Sequence, residues 1–301
     1  MRVLIVGATG HNGVAVARRL GAQGHHISGL VRDEARAPDC LDAVHAGDVV
    51  TGAGLAQAVA GIDVAYYFVH SLDSRAQDDL DLVAARNFAS AAAEAEVKRG
   101  VFFTTLPAPN IGEPPRYQRN RQAVQVALAE RLNELTVVRA GMVLADRSRG
   151  MRPYAQLVQR APIIPMGPWR DNRIAVVDSE TVSTCLVRAG VADQPMGSVD
   201  VPASAEPTHE ELVRAVMRTL GVNKPILRLP WSNPTIDAFL VSRFTGDSYQ
   251  FSRHLASINN FDYMVDPSCA KPFADIAPQQ LDAALRSALA PYIAPQRRKS
   301  S

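Results

Sequence analysis

The N-terminal residues carry the feature that most restricts the possible folds. A short apolar run, RVLIVG (2–7), runs into VGATGHNG (6–13), and a helical pattern, GVAVARRLGAQG (13–24), follows. Gly7, Gly10 and Gly13 are spaced as G-x-x-G-x-x-G. A buried strand, a tight glycine turn and a helix in this order predict the start of a β-α-β unit. Glycines let the main chain turn sharply, and the N–H groups at a helix start receive phosphate, so the motif predicts a dinucleotide pyrophosphate site.

The pattern continues along the first half of the chain. Apolar runs predict strands at 26–32, 43–49, 63–70, 99–106 and 135–144, and the segments between them predict helices at 55–61, 78–97 and 119–132. Strands that alternate with helices at this spacing predict right-handed crossovers and a parallel sheet covered on both faces. The expected fold class is therefore α/β, a Rossmann-type doubly wound parallel sheet with a smaller C-terminal substrate-binding part.

The second half of the chain has a less regular pattern of apolar residues than the first. From about residue 146 it reads as loop-rich, with prolines at 153, 162, 165 and 168, before further short strands and helices, among them THEELVRAVMRTLG (208–221) with a capping box at Thr208 and Glu211. We divide the chain into a dinucleotide-binding domain at 1–150 and a mixed substrate-binding region at 151–301 that is interleaved with the sheet. The aromatic-rich stretch 231–264 is a candidate helical lid over a large apolar substrate, although a dimer surface or a plain domain core has the same composition.

Composition excludes several classes of function. The formal net charge is only +2 and no basic stripe stands out, so neither nucleic acid nor an anionic membrane is expected as a partner. Three widely spaced cysteines and seven histidines match no metal-binding pattern. No window is apolar enough for a membrane span, and the N-terminus does not resemble a secretory signal. We expect a soluble, cytoplasmic protein with a small-molecule substrate and no metal; the oligomeric state stays open.

The end of the second predicted strand bears on cofactor choice. The sequence SGLVRDE places Arg32 at the strand end and Asp33 directly after it. An acidic side chain here binds a ribose 2′-hydroxyl, whereas a guanidinium binds a 2′-phosphate. This order favours NADPH over NADH. In the alternative interpretation, Arg32 lies on the surface and Asp33 or Glu34 turns towards the ribose.

These motifs also carry a family resemblance. VGATGHNG, LVRDE, AYYFVHSL, RNFASAAAEAEVKRGVFF and VVRAGMVL resemble the atypical short-chain dehydrogenase/reductase superfamily, near its NmrA-like and extended branches. A narrower resemblance is to polyketide-modifying ketoreductases of the simocyclinone (angucyclinone) type. The family resemblance implies a pyrophosphate site lined by Gly7, Thr9, Gly10, His11, Asn12 and Gly13. It also implies contacts of Arg32 with the 2′-phosphate, of Asp48 and Val49 with the adenine, of Phe68, Val69 and His70 with the ribose, and of Thr104 with the nicotinamide ribose.

The same resemblance implies catalytic positions. The family uses a serine or threonine after the fifth strand and a Tyr-x-x-x-Lys pair on the next helix, whose lysine lowers the pKa of the tyrosine. In this chain Thr104 or Thr105 can fill the first position, and Tyr117 and Arg121 stand where the pair belongs. Arginine keeps the positive charge, but it is a broad planar fork that does not release a proton. Tyr117 is therefore either the catalytic acid or an ordinary tyrosine in the first helical turn, and Thr105, water or a substrate hydroxyl are alternative proton donors.

Two functions are compatible with these residues. The first is an NADPH-dependent ketoreductase that transfers hydride to the ketone of a bulky substrate of the polycyclic polyketide type. The second is a non-catalytic NADP-binding regulator of the NmrA-like kind, which the absent lysine favours. A sugar-nucleotide epimerase or dehydratase is a weaker alternative, because those reactions depend more heavily on the tyrosine–lysine pair.

Overall fold

The glycine motif lies between the first strand and the first helix of a parallel sheet, as predicted. A computed structural model describes residues 1–70, 75–108, 113–146 and 148–293. The strands in this part of the chain are β1 (Arg2–Val6), β2 (His26–Val31), β3 (Ala43–Ala46), β4 (Val64–Tyr67), β5 (Arg99–Thr105), β6 (Leu135–Ala140), β7 (Met142–Leu144), β8 (Ile164–Met166), β9 (Val176–Asp178), β10 (Ser198–Asp200) and β11 (Ile226–Arg228). The helices are α1 (His11–Ala22), α2 (Leu55–Val59), α3 (Arg75–Glu94), α4 (Arg116–Ala129), α5 (Met151–Arg160), α6 (Ser179–Val191), α7 (His209–Leu220), α8 (Pro234–Thr245), α9 (Tyr249–Ile258), α10 (Pro267–Ala270) and α11 (Leu281–Ile293).

The central sheet confirms the predicted fold class. Its seven strands are parallel and follow the order β10-β6-β5-β4-β1-β2-β3. The chain builds outward from β1 to β3, then returns to the other side of β1 and continues from β4. The order of the strands therefore reverses between β1 and β4. In open α/β sheets, ligands bind at the carboxyl ends of the strands beside such a switch point.

Alternating side chains bury both faces of this sheet. On β1, Val3 and Ile5 belong to the core formed with α1 and α6, whereas Leu4 and Val6 belong to the core formed with α2, α3 and α4. These four side chains are at most 1% exposed. Burial on both faces explains why the strands read as nearly continuous apolar runs.

One predicted strand is divided in two. The run 135–144 forms β6 and β7, which separate at Gly141 and join different sheets, because β7 pairs with β9. A Cβ atom at Gly141 would lie 2.0 Å from the carbonyl oxygen of Ala175. Glycine therefore allows the main chain to leave the central sheet at this point, and the expectation of a single strand is wrong.

The loop-rich interpretation after residue 146 is also wrong in part. Residues Met151–Arg160 form helix α5, with Pro153 in its first turn. Proline is tolerated in the first helical turn, because the N–H groups there have no carbonyl partner within the helix. A proline that suggested a loop therefore lies just inside a helix.

The second half of the chain contributes to the central sheet and also builds a further core. Strand β10 extends the sheet and α6 packs on it, while α5, α7 and α11 enclose a separate apolar cluster. The predicted capping box begins α7, with Thr208 and Glu211 exchanging side-chain and main-chain hydrogen bonds. In the aromatic-rich stretch, α8 ends at Gly246, whose φ of 70° turns the chain into α9. The domain division at residue 150 stays a proposal.

Candidate cofactor and substrate site

The glycine motif forms a compact turn against the end of β4. Gly7 has a φ of 93°, and a Cβ atom there would lie 3.1 Å from the Cβ of Phe68. The Gly10 N–H donates to the Gly7 carbonyl at 3.0 Å, and a Cβ on Gly13 would approach that same carbonyl oxygen to 2.5 Å. The turn therefore requires glycine at positions 7 and 13. Its main chain leads into α1, whose N-cap, Gly10, has no side-chain capping bond, so the first N–H groups of the helix are suited to bind an anion.

The remaining residues of the motif lie around this turn. Thr9 and His11 are exposed, and Asn12 is partly buried at the start of α1. His11 Nε2 lies 2.6 Å from Ser179 Oγ, which joins the start of α1 to the start of α6. The side chain of Asp178 caps α6 by accepting from the Thr181 N–H at 2.8 Å. The predicted pyrophosphate residues are thus gathered at one edge of the sheet.

The predicted adenine side is formed by the ends of β2 and β3. Arg32 is exposed directly after β2, and the carboxylate of Asp33 accepts a hydrogen bond from the Ala35 N–H at 3.1 Å. The carboxylate of Asp48 accepts from the Val50 N–H at 2.6 Å. Asn87 on α3, which the sequence analysis did not identify, donates to the carbonyl of Val49 at 3.0 Å and so holds this loop in place.

Arg121 joins the ends of β4 and β5. Its buried guanidinium donates to the carbonyl oxygens of Val69 at 3.1 Å and Phe103 at 2.9 Å, and to Thr104 Oγ1 at 3.3 Å. The guanidinium carbon also lies 4.7 Å from the centre of the Phe102 ring. Three hydrogen bonds and a stacked ring fix this fork in one orientation. Arg121 therefore sets the position of Val69 and Thr104, two residues predicted to lie beside the cofactor; His70, exposed, follows Val69.

Tyr117 lies in the first turn of α4, one helical turn before Arg121. Its ring contacts the ring of His254 edge to face, with the ring centres 4.9 Å apart and the planes at 82°. Desolvation raises the pKa of the Tyr117 phenol; the charge of Arg121 opposes this effect and that of Asp81 adds to it. The arginine thus shifts the pKa in the predicted direction, but desolvation outweighs it. The phenol stays protonated near neutral pH and can donate a hydrogen bond or a proton.

The segment after β5 is fixed beside Tyr117. Gln118 donates to the Leu106 carbonyl at 2.7 Å and accepts from the Ala108 N–H at 2.7 Å, so it fixes the chain that follows Thr105. Thr105, partly buried, ends β5 and pairs in register with Ala140 of β6. The ends of β5 and the start of α4 are thereby held together. Gln118 is a second residue that sequence reasoning missed, although it directly follows the predicted tyrosine.

Two residues from the far end of the chain complete this part of the site. His254 on α9 contacts Tyr117, and Tyr263 packs with Leu106 and Ala175 in a small apolar cluster. The main chain of Tyr263 is fixed on both sides, since its N–H donates to the Arg173 carbonyl at 2.9 Å and its carbonyl accepts from the Ala175 N–H at 2.7 Å. The sequence offered no signal for these two residues beyond the aromatic-rich composition of 231–264.

The predicted residues therefore fall into one continuous region. The glycine turn, the ends of β2 to β5 and the start of α4 all lie at the carboxyl edge of the parallel sheet. Over the described ranges, no group of three or more histidine, cysteine, aspartate or glutamate side chains is arranged to hold a metal ion. Within the same part of the chain, none of the helices has the length and apolar character needed to cross a membrane.

Comparisons with known proteins agree with this geometry. Residues 7–156 match the family model described as NAD(P)H-binding. An uncharacterized protein of Mycobacterium tuberculosis and another of Mycobacterium bovis are each 28% identical over 234 residues, which is 76% of this chain and 25% of each relative. The chain thus spans about a quarter of the length of these curated relatives.

Solved structures extend the similarity to nearly the whole chain. A nucleoside-diphosphate-sugar epimerase from Staphylococcus aureus has a TM-score of 0.75 at 19% identity, covering 95% of this chain and 100% of that one. The Bordetella bronchiseptica enzyme WbmH in complex with NAD+ has a TM-score of 0.71 at 18% identity, with 96% and 97% covered. A dTDP-glucose 4,6-dehydratase double mutant from Streptomyces venezuelae, with NAD bound, has a TM-score of 0.73 at 14% identity, with 97% of both chains covered.

These similarities concern the fold, and the family match concerns the nucleotide-binding half. The residues required for a pyrophosphate turn are present at Gly7, Gly10 and Gly13, so this half fits a nicotinamide dinucleotide. Residues 7–156 accordingly match an NAD(P)H-binding domain, and the chain as a whole has the same fold as these solved structures.

Proposed function

We propose that this protein is an NADPH-dependent ketoreductase that acts on a bulky, largely apolar ketone of the polycyclic polyketide type. The observation that carries the proposal is the position of Tyr117 in the first turn of α4, where its neighbour Gln118 holds the chain just after β5. Burial raises the pKa of this phenol, which stays neutral. Apolar side chains surround this end of the site, including Leu106, Ile258 and Phe261. A protonated phenol in an apolar setting is suited to assist reduction of a carbonyl group.

The proposed reaction assigns a distinct role to each predicted residue. The reduced nicotinamide supplies a hydride when NADPH is bound. As the carbonyl carbon accepts that hydride, Tyr117 donates a hydrogen bond to the oxygen and then transfers its proton, so that the ketone becomes an alcohol. Thr105 is placed at the end of β5 to orient the carbonyl. Arg121 acts as a positioning residue, since its guanidinium is committed to Val69, Phe103 and Thr104.

Arg32 and Asp33 support NADPH over NADH. Arg32 is exposed at the end of β2, where a 2′-phosphate would lie, while the Asp33 carboxylate is bonded to a local main-chain N–H. An Arg32→Ala variant should bind NADPH about tenfold more weakly in calorimetry and bind NADH as before, since one charge-assisted contact is removed. The matched control is Arg131→Ala, which changes an exposed arginine just after the C-terminal end of α4. Equal affinities of the unmodified protein for NADPH and NADH would contradict this assignment.

A non-catalytic NADP-binding regulator is the second candidate. The specific observation in its favour is that Arg121, at the position of the family's lysine, is occupied by main-chain carbonyls rather than directed at a cofactor hydroxyl. A regulator needs only the glycine turn and the adenine side of the site. It does not need the phenol of Tyr117 to meet a carbonyl.

A turnover assay distinguishes the two candidates. NADPH oxidation is followed with a panel of quinones and polycyclic ketones, using Gly13→Ala as the variant with a blocked cofactor turn. Turnover by the unmodified protein, lost in Gly13→Ala, is the result expected of a ketoreductase. Tight NADPH binding without turnover on any member of the panel would favour the regulator.

A further inference from the structure

Two buried polar groups beside Tyr117 have no hydrogen-bond partner among the described residues. They are the hydroxyl of Tyr263, whose side chain is 3% exposed, and Nε2 of His254. An unpaired polar atom in a protein interior costs about 1–3 kcal/mol, and most such atoms are paired. Two of them lie beside a candidate catalytic phenol, where a bound substrate would supply the missing partner.

Each of the two residues lies near Tyr117 or near the chain that Gln118 holds beside it. His254 touches the Tyr117 ring edge to face at 4.9 Å between ring centres. Tyr263 packs on Leu106, and the carbonyl of Leu106 is bound by Gln118, the neighbour of Tyr117 in sequence. The pKa of Tyr263 is raised mainly because this phenol is buried. Tyr117 is close enough that its ionised form would raise the pKa of Tyr263 further. The three side chains form one group, which we call the tyrosine–histidine cluster (Tyr117, His254 and Tyr263).

The cluster is uncharged, and the charges that act on His254 are positive. Burial lowers the pKa of His254 to about 4, and the guanidiniums of Arg116 and Arg149 add to this effect. The imidazole is therefore neutral near pH 7 and presents Nε2 as either a donor or an acceptor, according to its tautomer. Arg149 lies over the ring of Phe251, which is on α9 like His254, with 4.6 Å between the guanidinium carbon and the ring centre. Nearby positive charge favours an electron-rich oxygen and disfavours a cation.

We infer that Tyr263 and His254 bind a substrate oxygen atom next to Tyr117, and that they select apolar compounds with a neutral or anionic oxygen over cationic ones. This inference rests on the proposed function and adds the specificity-determining residues to it. The phenol of Tyr263 donates to the oxygen, and Nε2 of His254 supplies a second contact. The apolar cluster of Leu106, Ala175 and Tyr263 packs against the carbon skeleton.

The test measures binding separately from turnover. The hydroxynaphthoquinone lawsone, an apolar ring system with an acidic oxygen, is titrated into the protein with NADP+ present, which prevents reduction, and visible absorbance reports the bound fraction. Tyr263→Phe and His254→Gln should each weaken lawsone binding about tenfold, as expected for one lost hydrogen bond to a charged group. Affinity for NADP+ should stay the same. Tyr249→Phe, an exposed tyrosine at the start of the same helix, should bind lawsone like the unmodified protein.

The outcomes separate this inference from the ketoreductase proposal. Binding of lawsone by the unmodified protein and about tenfold weaker binding by both variants supports the cluster even if no ketone is turned over, in which case only the ketoreductase proposal fails. Unchanged binding in Tyr263→Phe and His254→Gln overturns the inference. Failure of the unmodified protein to bind lawsone, or tighter binding of an equally sized aromatic amine, overturns the assigned ligand class. Thermal unfolding of each variant confirms that it is folded, and His254→Gln carries the test if Tyr263→Phe is not.

Discussion

Tyr154 and His209 form a tyrosine–histidine pair in the core between α5 and α7, whereas Tyr117 and His254 form one at the carboxyl edge of the sheet. In the first pair, the Tyr154 hydroxyl lies 2.6 Å from His209 Nδ1, and the ring planes are nearly parallel at 8°. In the second pair the rings meet edge to face at 82°. The same two side chains are thus joined by a hydrogen bond in one place and by a ring contact in the other.

The difference shows how location decides what such a pair can do. His209 is 0% exposed and packs against Trp169 in the core of the second half, where its Nε2 and the Trp169 Nε1 also lack partners among the described residues. That pair lies in a core built on α5, α7 and α11, away from the glycine turn. The hydroxyl of Tyr117 is not held by its histidine, and it adjoins the predicted cofactor edge. We therefore propose a structural role for Tyr154–His209 and a chemical role for Tyr117–His254.

The largest expected effect is on kcat, and it distinguishes the two tyrosine–histidine pairs. Tyr117→Phe should lower kcat at least about a hundredfold on a substrate found in the turnover panel, because it removes the proton donor. Tyr154→Phe should leave kcat unchanged. Steady-state rates of the two variants at saturating NADPH make the comparison. If Tyr117→Phe has the same kcat as the unmodified protein, Tyr117 is not the catalytic acid, and Thr105 or water is the proton donor instead.

The second effect concerns acid stability. Burial lowers the pKa of His209 to about 4, below the ordinary value of 6.5, so between these values the unfolded chain binds a proton that the folded protein does not. His209 should therefore reduce the free energy of unfolding by about 2 kcal/mol as the pH falls from 8 to 5. Urea unfolding of His209→Gln across this pH range should show a correspondingly smaller loss. An identical pH dependence in the variant and the unmodified protein would contradict the neutral, buried histidine.

A smaller effect is expected from the Tyr154 hydroxyl itself. Tyr154→Phe removes a buried hydrogen bond and leaves His209 Nδ1 without its partner, which should cost about 1–2 kcal/mol of unfolding free energy. Tyr117→Phe should cost less, since no hydrogen bond to its histidine is lost. Urea midpoints at pH 8 measure both. Equal destabilisation by the two changes would mean that the pairs do not differ in the way described above.

The smallest effect concerns the capping box that precedes His209. Thr208 Oγ1 accepts from the Glu211 N–H at 3.2 Å, and the Glu211 carboxylate accepts from the Thr208 N–H at 2.8 Å. Thr208→Ala should lower stability by about 1 kcal/mol, and Thr208→Ser should restore most of it. Thermal unfolding compares the two. Turnover should be normal in both, because the box supports only the structural pair.

Much of the fold was predictable because it depends on local pattern. The glycine turn, the alternation of strands with helices and the capping box of α7 all follow from neighbouring residues in sequence. The failures have two different causes, one distant in sequence and one local. The run ending at Leu144 gave no sign of a break at Gly141, because the obstruction there is the carbonyl of Ala175, a residue just before β9 and distant in sequence. Pro153 suggested a loop, but its place in the first turn of α5 is one that proline tolerates.

The residues of the candidate site also divide into those that local sequence could predict and those that it could not. The glycine turn at Gly7 and Gly13 could be predicted because the cofactor edge of this fold is built from main-chain turns at fixed points in the sequence. The hydrogen bonds of Arg121 could not be predicted, since its acceptors are carbonyl oxygens of two different strands. The roles of Asn87 and Gln118 could not be predicted for the same reason. Each side chain fixes a loop by bonding main-chain atoms that come within range only when the helices pack.

The sequence by itself determined a parallel α/β sheet with a nicotinamide dinucleotide turn at its first helix, because apolar periodicity and glycine spacing act over a few residues. Only the tertiary structure decided what faces the proposed substrate. Tyr117 meets His254, and Tyr263 packs on Leu106, because α9 and the chain after it fold back onto the end of β5. Contacts between segments so distant in sequence leave no periodic trace in either one. The burial that keeps these groups neutral arises from that same packing.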